Sequence, residues 1–223
     1  MGQRKLSQKE ESDICLSCGE CCKRYWITIL PSESKAIAKT LKISEKDFLE
    51  KHCIFQAKLF PKSTPGVLTY PSTFFPRRVY NMIRHEMPGV SESFFIVQQI
   101  VLKREEAGGK KICNFLDSQN YCAIYKVRPK PCDLFPFIAM PDIRESYPFC
   151  GLFKKTFKDT SKDSKKYYAL IQAYFKQVDK KGLGGVWKNL PKKGLLFLGD
   201  KELGEISLEE LSFMTPFRDK TRK

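Results

Sequence analysis

The stretch Cys15-Leu16-Ser17-Cys18-Gly19-Glu20-Cys21-Cys22 decides how the rest of the chain is read. It places four of the nine cysteines within eight residues. Two-residue gaps let successive thiolates converge on one metal centre, and thiolate sulfur is a soft donor suited to zinc, iron–sulfur clusters or copper(I). Cys15, Cys18 and Cys21 have the three-ligand spacing of iron–sulfur sites, which a distant cysteine completes. Cys21 and Cys22 are chain neighbours. In an extended segment their side chains point to opposite faces, so the pair serves two sites or has one member bound. Two sites of four cysteines and a single cluster with spare thiols both satisfy the pattern.

Working outward, the other cysteines are Cys53, Cys113, Cys122, Cys132 and Cys150. The chain has 223 residues, enough to bury a core without disulfide staples. With 42% hydrophobic and 13% aromatic residues it has the composition of a folded protein. Its opening residues run polar, with no apolar stretch of a secretory signal, and no window approaches the ~20 apolar residues of a membrane span. The expected location is therefore cytoplasmic, a reducing compartment where clustered thiols hold metals. The net charge of +15 suits an anionic partner through a basic surface, or solvated lysines alone.

Residues 1–12 are polar and are expected to form a flexible tail. Tyr25–Leu30 is β-branched and aromatic, which predicts a strand. Pro31-Ser32 opens a helix carrying Ile37, Ala38 and Leu41, and Ser44 caps a second with Phe48 and Leu49 facing inward. Five prolines over 54–92 predict loops with one short helix near 77–85. Phe94–Lys103 reads as a strand, with Glu105–Gly109 a turn into a partner strand reaching Cys113. From Asn114 to Phe149 the chain looks loop-rich and organised around cysteines. Tyr167, Tyr168, Leu170, Ile171, Tyr174, Phe175 and Val178 recur at helical spacing, and Gly182 stops that helix. Ser207-x-x-Glu210 has the form of a capping box.

The downstream segment reads Cys113-Asn-Phe-Leu-Asp117, then Cys122-Ala-Ile-Tyr125-x-x-Arg128-Pro129-x-x-Cys132-x-x-Phe135-Pro136. Together with the opening run, this resembles the YkgJ-like cysteine-cluster family, the CxxCxxCC domain of zinc or iron chelation. The resemblance spans roughly residues 15–150. It implies a small cytoplasmic domain whose candidate ligands are Cys15, Cys18, Cys21, Cys22, Cys113, Cys122, Cys132 and Cys150. Cys53 lies outside the shared pattern and reads as a buried small apolar residue. The family often has Pro where this chain has Asn114, and Arg where it has Asp133; neither change removes a ligand. Arg128 either donates hydrogen bonds to sulfur or locks the Pro-rich turn through a carboxylate or carbonyls. His52, beside Cys53, and His85, beside Glu86, read as surface or capping residues.

These readings predict an α+β protein: an irregular cysteine-rich metal-binding lobe with a small β-hairpin and several helices. The expected division is a tail over 1–12, a cysteine-cluster domain over 13–155, a helical extension over 156–217 and a basic tail over 218–223. The leading function is metal binding, with an iron–sulfur cluster (4Fe-4S) or zinc as cofactor. The alternative is an S-adenosylmethionine-dependent enzyme, because the same domain resembles part of the flagellin lysine N-methylases. No Gly-x-Gly turn follows a strand here, and Gly182-Leu-Gly184-Gly185 reads as a helix stop. Nucleic-acid binding is disfavoured because the aromatics of 167–175 sit at core spacing. A thiol-redox role would suit Cys15-x-x-Cys18 alone, but the continuation to Cys21 and Cys22 fits metal better.

Overall fold

The structure is a computed structural model that describes residues 6–61, 70–71, 75–88, 93–138, 149–156 and 158–214. The chain opens with α1 (Gln8–Cys18), α2 (Pro31–Leu41) and α3 (Glu45–His52), then β1 (Cys53–Pro61), β2 (Tyr70–Pro71) and α4 (Arg77–Glu86). It continues with β3 (Ser93–Leu102), β4 (Arg104–Ala107), β5 (Lys110–Cys113), α5 (Lys130–Leu134) and α6 (Gly151–Lys155). It closes with α7 (Ser161–Lys181), α8 (Leu183–Val186), β6 (Lys193–Leu198), β7 (Lys201–Ser207) and α9 (Leu208–Ser212). The architecture is α+β. Two compact units share the chain by interleaving: Met1–Ser44 with Leu102–Ala173, and Glu45–Val101 with Tyr174–Lys223.

The first unit holds the cysteines of the opening run and short, locally capped elements. Ser7 caps α1: its hydroxyl accepts from the Glu10 N–H, and the Glu10 carboxylate accepts from the Ser7 N–H at 2.8 Å. The helix therefore begins at Gln8, inside the segment expected to be a loose tail; residues 1–5 lie outside the described residues. The capping box overrides the polar composition. Pro31 starts α2 with its fixed φ, and Glu33 accepts from Leu30 N–H at 2.8 Å and from Lys130 N–H at 2.6 Å, pinning α2 to the start of α5. Beyond α1, the expected strand over 25–30 is extended chain with only one bridging residue, Thr28. Ile29 and Leu30 are buried and Ile27 accepts one bond, from Leu102 N–H at 3.0 Å. β-propensity with a single bridge in place of a ladder leaves it as connector.

The hairpin of this unit is β4–β5, with Arg104 opposite Cys113 and the turn at Gly108-Gly109. Both glycines have positive φ, 58° and 73°, which the two-residue turn requires. The turn is thus tighter than the expected Glu105–Gly109. A small apolar cluster of Leu6, Cys150 and Leu152 is walled by Tyr25, Phe135 and Phe149. Their rings lie 5.8 to 6.3 Å apart.

The second unit is a five-stranded mixed sheet in the order β2-β3-β1-β6-β7. β1 runs parallel to β6, in register from Phe55↔Gly194 to Leu59↔Leu198, and β6 returns antiparallel as β7. All three strands correct the expectations: β1 lies in the stretch read as loops, and β6 and β7 lie in the extension read as helical. None shows a clean two-residue alternation. β1 carries Gln56 and Ala57 fully buried between Phe55 and Leu59, as a strand flanked on both sides does. At Gly194 a Cβ would stand 2.1 Å from the Phe55 ring, so only glycine lets that ring cross the β1–β6 pair. Phe48, Phe55, Leu59, Phe94, Ile100, Ile83 and Leu196 form a core with no more than 1% exposure each. Trp187 Nε1–H donates to Tyr174 Oη at 3.1 Å, and Gln98 Nε2–H to the Met214 carbonyl at 2.8 Å. α7 crosses the division, which falls between Ala173 and Tyr174, and ends at Gly182 with φ 71°.

Candidate metal centre

Cys15 and Cys18 sit three residues apart on α1, which puts them on one face. Gly19 then caps the helix in the left-handed conformation, φ 61°, and turns the chain so that Cys21 and Cys22 follow in a tight turn. A Cβ at Gly19 would meet Asn120 Oδ1 at 3.1 Å and Leu116 Cδ1 at 3.2 Å, so the position is closed to other residues by φ and by space. Cys113 ends β5, and its N–H donates to the Cys22 carbonyl at 2.9 Å, tying the two cysteine segments together. Cys122 is bridged to Leu116, Cys132 lies within α5, and Cys150 stands at the start of α6.

All nine cysteines are free thiols. Six of the eight candidate ligands, Cys15, Cys21, Cys22, Cys113, Cys122 and Cys132, line one cavity of about 360 Å³. Its other walls are mostly apolar: Trp26, Ile27, Leu102, Ile124, Phe135 and, from the first half of α7, Tyr167. A smaller cavity of about 40 Å³ is lined by Cys15, Cys18, Cys21 and Cys150, with Phe135 and Phe149 behind them. The sulfurs ring these spaces without closing on a point: among the described residues no three Cys, His, Asp or Glu side chains stand close enough to hold one ion. Cys53 begins β1 and is buried in the sheet unit. Neither histidine lines either cavity. His52 stacks on Phe48 at 5.9 Å, and His85 is exposed beside Glu86.

Burial governs the charge state of the thiols. It pushes Cys15 and Cys113 up to about 11, raises Cys122 and Cys150, and holds Cys132 well above the ordinary thiol range. Cys21 and Cys22 share a hydrogen bond that lowers the first and raises the second. Against burial stand donors aimed at sulfur. Backbone N–H groups of Phe115, Ile124 and Leu152 donate to Cys113, Cys122 and Cys150, each two residues upstream. The Arg128 charge favours the thiolates of Cys15, Cys21, Cys122 and Cys132.

Arg128 is fixed in place. Its guanidinium donates to Asp133 at 3.0 Å and lies 4.0 Å above the centre of the Tyr125 ring. Its Nε–H is buried and makes no hydrogen bond, although the residue lines the cysteine cavity. A buried donor without an acceptor costs about 1–3 kcal/mol, so this one fits a site completed by an anionic metal–thiolate group. Of the two sequence readings of Arg128 the structure has the second, a turn locked through the Asp133 carboxylate; toward the sulfurs it contributes charge and no hydrogen bond among the described residues. An open cleft of about 780 Å³ shares Cys15 and Arg128 with the cavity and is edged by Lys9, Lys126, Lys130 and Lys158 against Glu11 and Asp133.

Sequence reasoning missed Arg104, Trp26 and Tyr167. Arg104 donates to the carbonyls of Lys23 at 2.6 Å, Arg24 at 3.2 Å and Lys111, and lies 5.2 Å from the Trp26 ring centre. It clips the cysteine run to the β4–β5 hairpin. Nothing local marks it, since Lys103-Arg104-Glu105-Glu106 has the composition of a solvated face. Among the described residues no helix is long and apolar enough to cross a membrane.

No curated protein and no solved structure matches the chain. A family model does: it covers residues 14–158, from the residue before the first cysteine to just past α6. With that match over more than half its length, the chain belongs to the CxxCxxCC family, whose description is "Putative zinc- or iron-chelating domain".

Proposed function

We propose that this chain is a metal–thiolate protein in which Cys15, Cys18, Cys21, Cys22, Cys113, Cys122, Cys132 and Cys150 hold an iron–sulfur cluster or zinc. The observation that carries the reading is the cavity where six of these cysteines meet the buried, unbonded Nε–H of Arg128. The cavity size favours a polynuclear iron–sulfur group. Four sulfurs at ~2.3 Å from a zinc ion leave no void between them, whereas this space is about 360 Å³. When bound, such a group supplies electron transfer or a Lewis-acid iron.

The chain's own residues have separate tasks. The eight thiols supply the donors, and the amides of Phe115, Ile124 and Leu152 favour the thiolates of Cys113, Cys122 and Cys150 against the burial that raises them. Arg128 offsets their charge. Trp26, Ile27, Leu102 and Phe135 give the sulfurs a largely apolar wall, and the lysine-edged cleft favours an anionic partner beside Cys15. Anaerobic purification with elemental analysis and an optical spectrum tests the assignment. Iron, labile sulfide and absorbance near ~400 nm support the cluster; a colourless zinc protein supports the second metal; a metal-free chain under both iron and zinc supplementation refutes the reading.

A further inference from the structure

We infer that the eight cysteines form two separate four-sulfur centres, Cys22/Cys113/Cys122/Cys132 and Cys15/Cys18/Cys21/Cys150, and that the second takes a single soft divalent ion. This deepens the metal-binding reading and rests on it.

The division follows from which space each sulfur borders. Cys22, Cys113, Cys122 and Cys132 line only the larger cavity, and Cys18 and Cys150 only the smaller one. Cys15 and Cys21 border both and form the partition between them. Assigned to the smaller space, they give it four donors and leave four for the larger. No cysteine is then spare and none has to serve twice.

Chain geometry supports the same division. Cys15 and Cys18 share a face of α1, and α1 packs on α6, whose first residue follows Cys150. Cys22 is held to Cys113 by the backbone bond at 2.9 Å. Adjacent residues Cys21 and Cys22 thus belong to different partners, which resolves the choice left open by the sequence.

The two spaces also differ in kind. The smaller, at about 40 Å³, is walled by Phe135, Phe149, Leu152 and Ile14, with room for one ion and no polynuclear group. Glu20 also borders it, but four thiols amid mostly apolar walls are the setting of a structural zinc-type ion.

The test is titration of the reduced, metal-free full chain with cobalt(II), reading sulfur-to-metal charge-transfer absorbance. The proposal expects saturation at two equivalents. Saturation at one equivalent overturns it while leaving metal binding intact; no thiolate–cobalt absorbance overturns both. Variants then locate the sites. Cys150→Ser and Cys132→Ser should each halve the uptake. The pair Cys18→Ser/Cys150→Ser should lose no more than Cys150→Ser alone, and Cys132→Ser/Cys150→Ser should lose all of it. If a single variant abolishes uptake, or the within-centre pair does, the centres are not separate. The wild-type stoichiometry needs no variant to fold.

Discussion

The cysteine unit and the sheet unit are stabilised by different physics. The sheet unit has a core of large side chains with no more than 1% exposure and a parallel β1–β6 pair whose register is fixed over five residues. The cysteine lobe joins the 11-residue helices α1 and α2 to elements of three to five residues such as the turn Tyr125–Val127, α5 and α6. Its centre is a cavity ringed by thiols, where the sheet unit has packed hydrocarbon. One unit is complete when its apolar surface is buried; the other is completed by what its sulfurs bind.

Metal removal should separate them most sharply. Thiolate-bound metal supplies apparent folding energy on the order of 10–16 kcal/mol. Chelation should therefore collapse amide-exchange protection at 113–134 and 149–156 while leaving 53–61 and 193–207 protected, read by hydrogen exchange with mass spectrometry. Equal loss in both regions would break the contrast. The converse perturbation is Phe55→Ala, which empties a fully buried ring site beside Gly194. It should cost about 3–5 kcal/mol in denaturant unfolding with metal content unchanged.

A smaller effect should come from Arg128→Gln. Removing a charge that faces the sulfurs should weaken metal retention by about 10–100-fold in competition with a chelator, with no change in sheet-unit exchange. The smallest lies in the sheet unit. Arg78 Nε and Nη2 donate to the Glu210 carboxylate at 2.7 Å each and hold it at about 2, below its ordinary 4.5. A lowered carboxyl stabilises the fold above pH 4.5 and loses that contribution as pH falls through about 2. The pair is near the surface, so solvent screening limits it to roughly 1 kcal/mol. Glu210→Gln should lower the unfolding free energy by that amount at neutral pH, and the gap from wild type should close as pH falls from 4.5 toward 2.

What could be read in the sequence was local. The caps at Pro31 and Ser207 and the Gly182 stop act within a few residues, and the structure has them; the apolar stripe of α7 holds at Tyr167, Tyr174 and Val178, whereas Leu170, expected in it, is exposed. The cysteine run was equally local. What could not be read depends on partners far along the chain: Leu59 lies beside Leu198 across some 140 positions, and β1 is central only because β3 and β6 flank it. Tyr25–Leu30 has strand-like residues but forms a bridge only at Thr28, not a ladder. At the centre, the candidate thiols were recognisable by spacing, whereas Arg104 and Tyr167 reach their places only through the fold.

The interleaving of the two units has a consequence for the order of synthesis. The ribosome delivers the opening thiols roughly 90 residues before Cys113, and Cys150 later still. The intervening segment from Glu45 to Val101 meanwhile lacks β6, its ladder neighbour, until residues 193–198 emerge. Both units are left unfinished on the nascent chain, with reduced sulfur exposed for much of translation. On the proposed reading, full loading with an inorganic ion is thereby a late event, possible only once Cys150 has emerged.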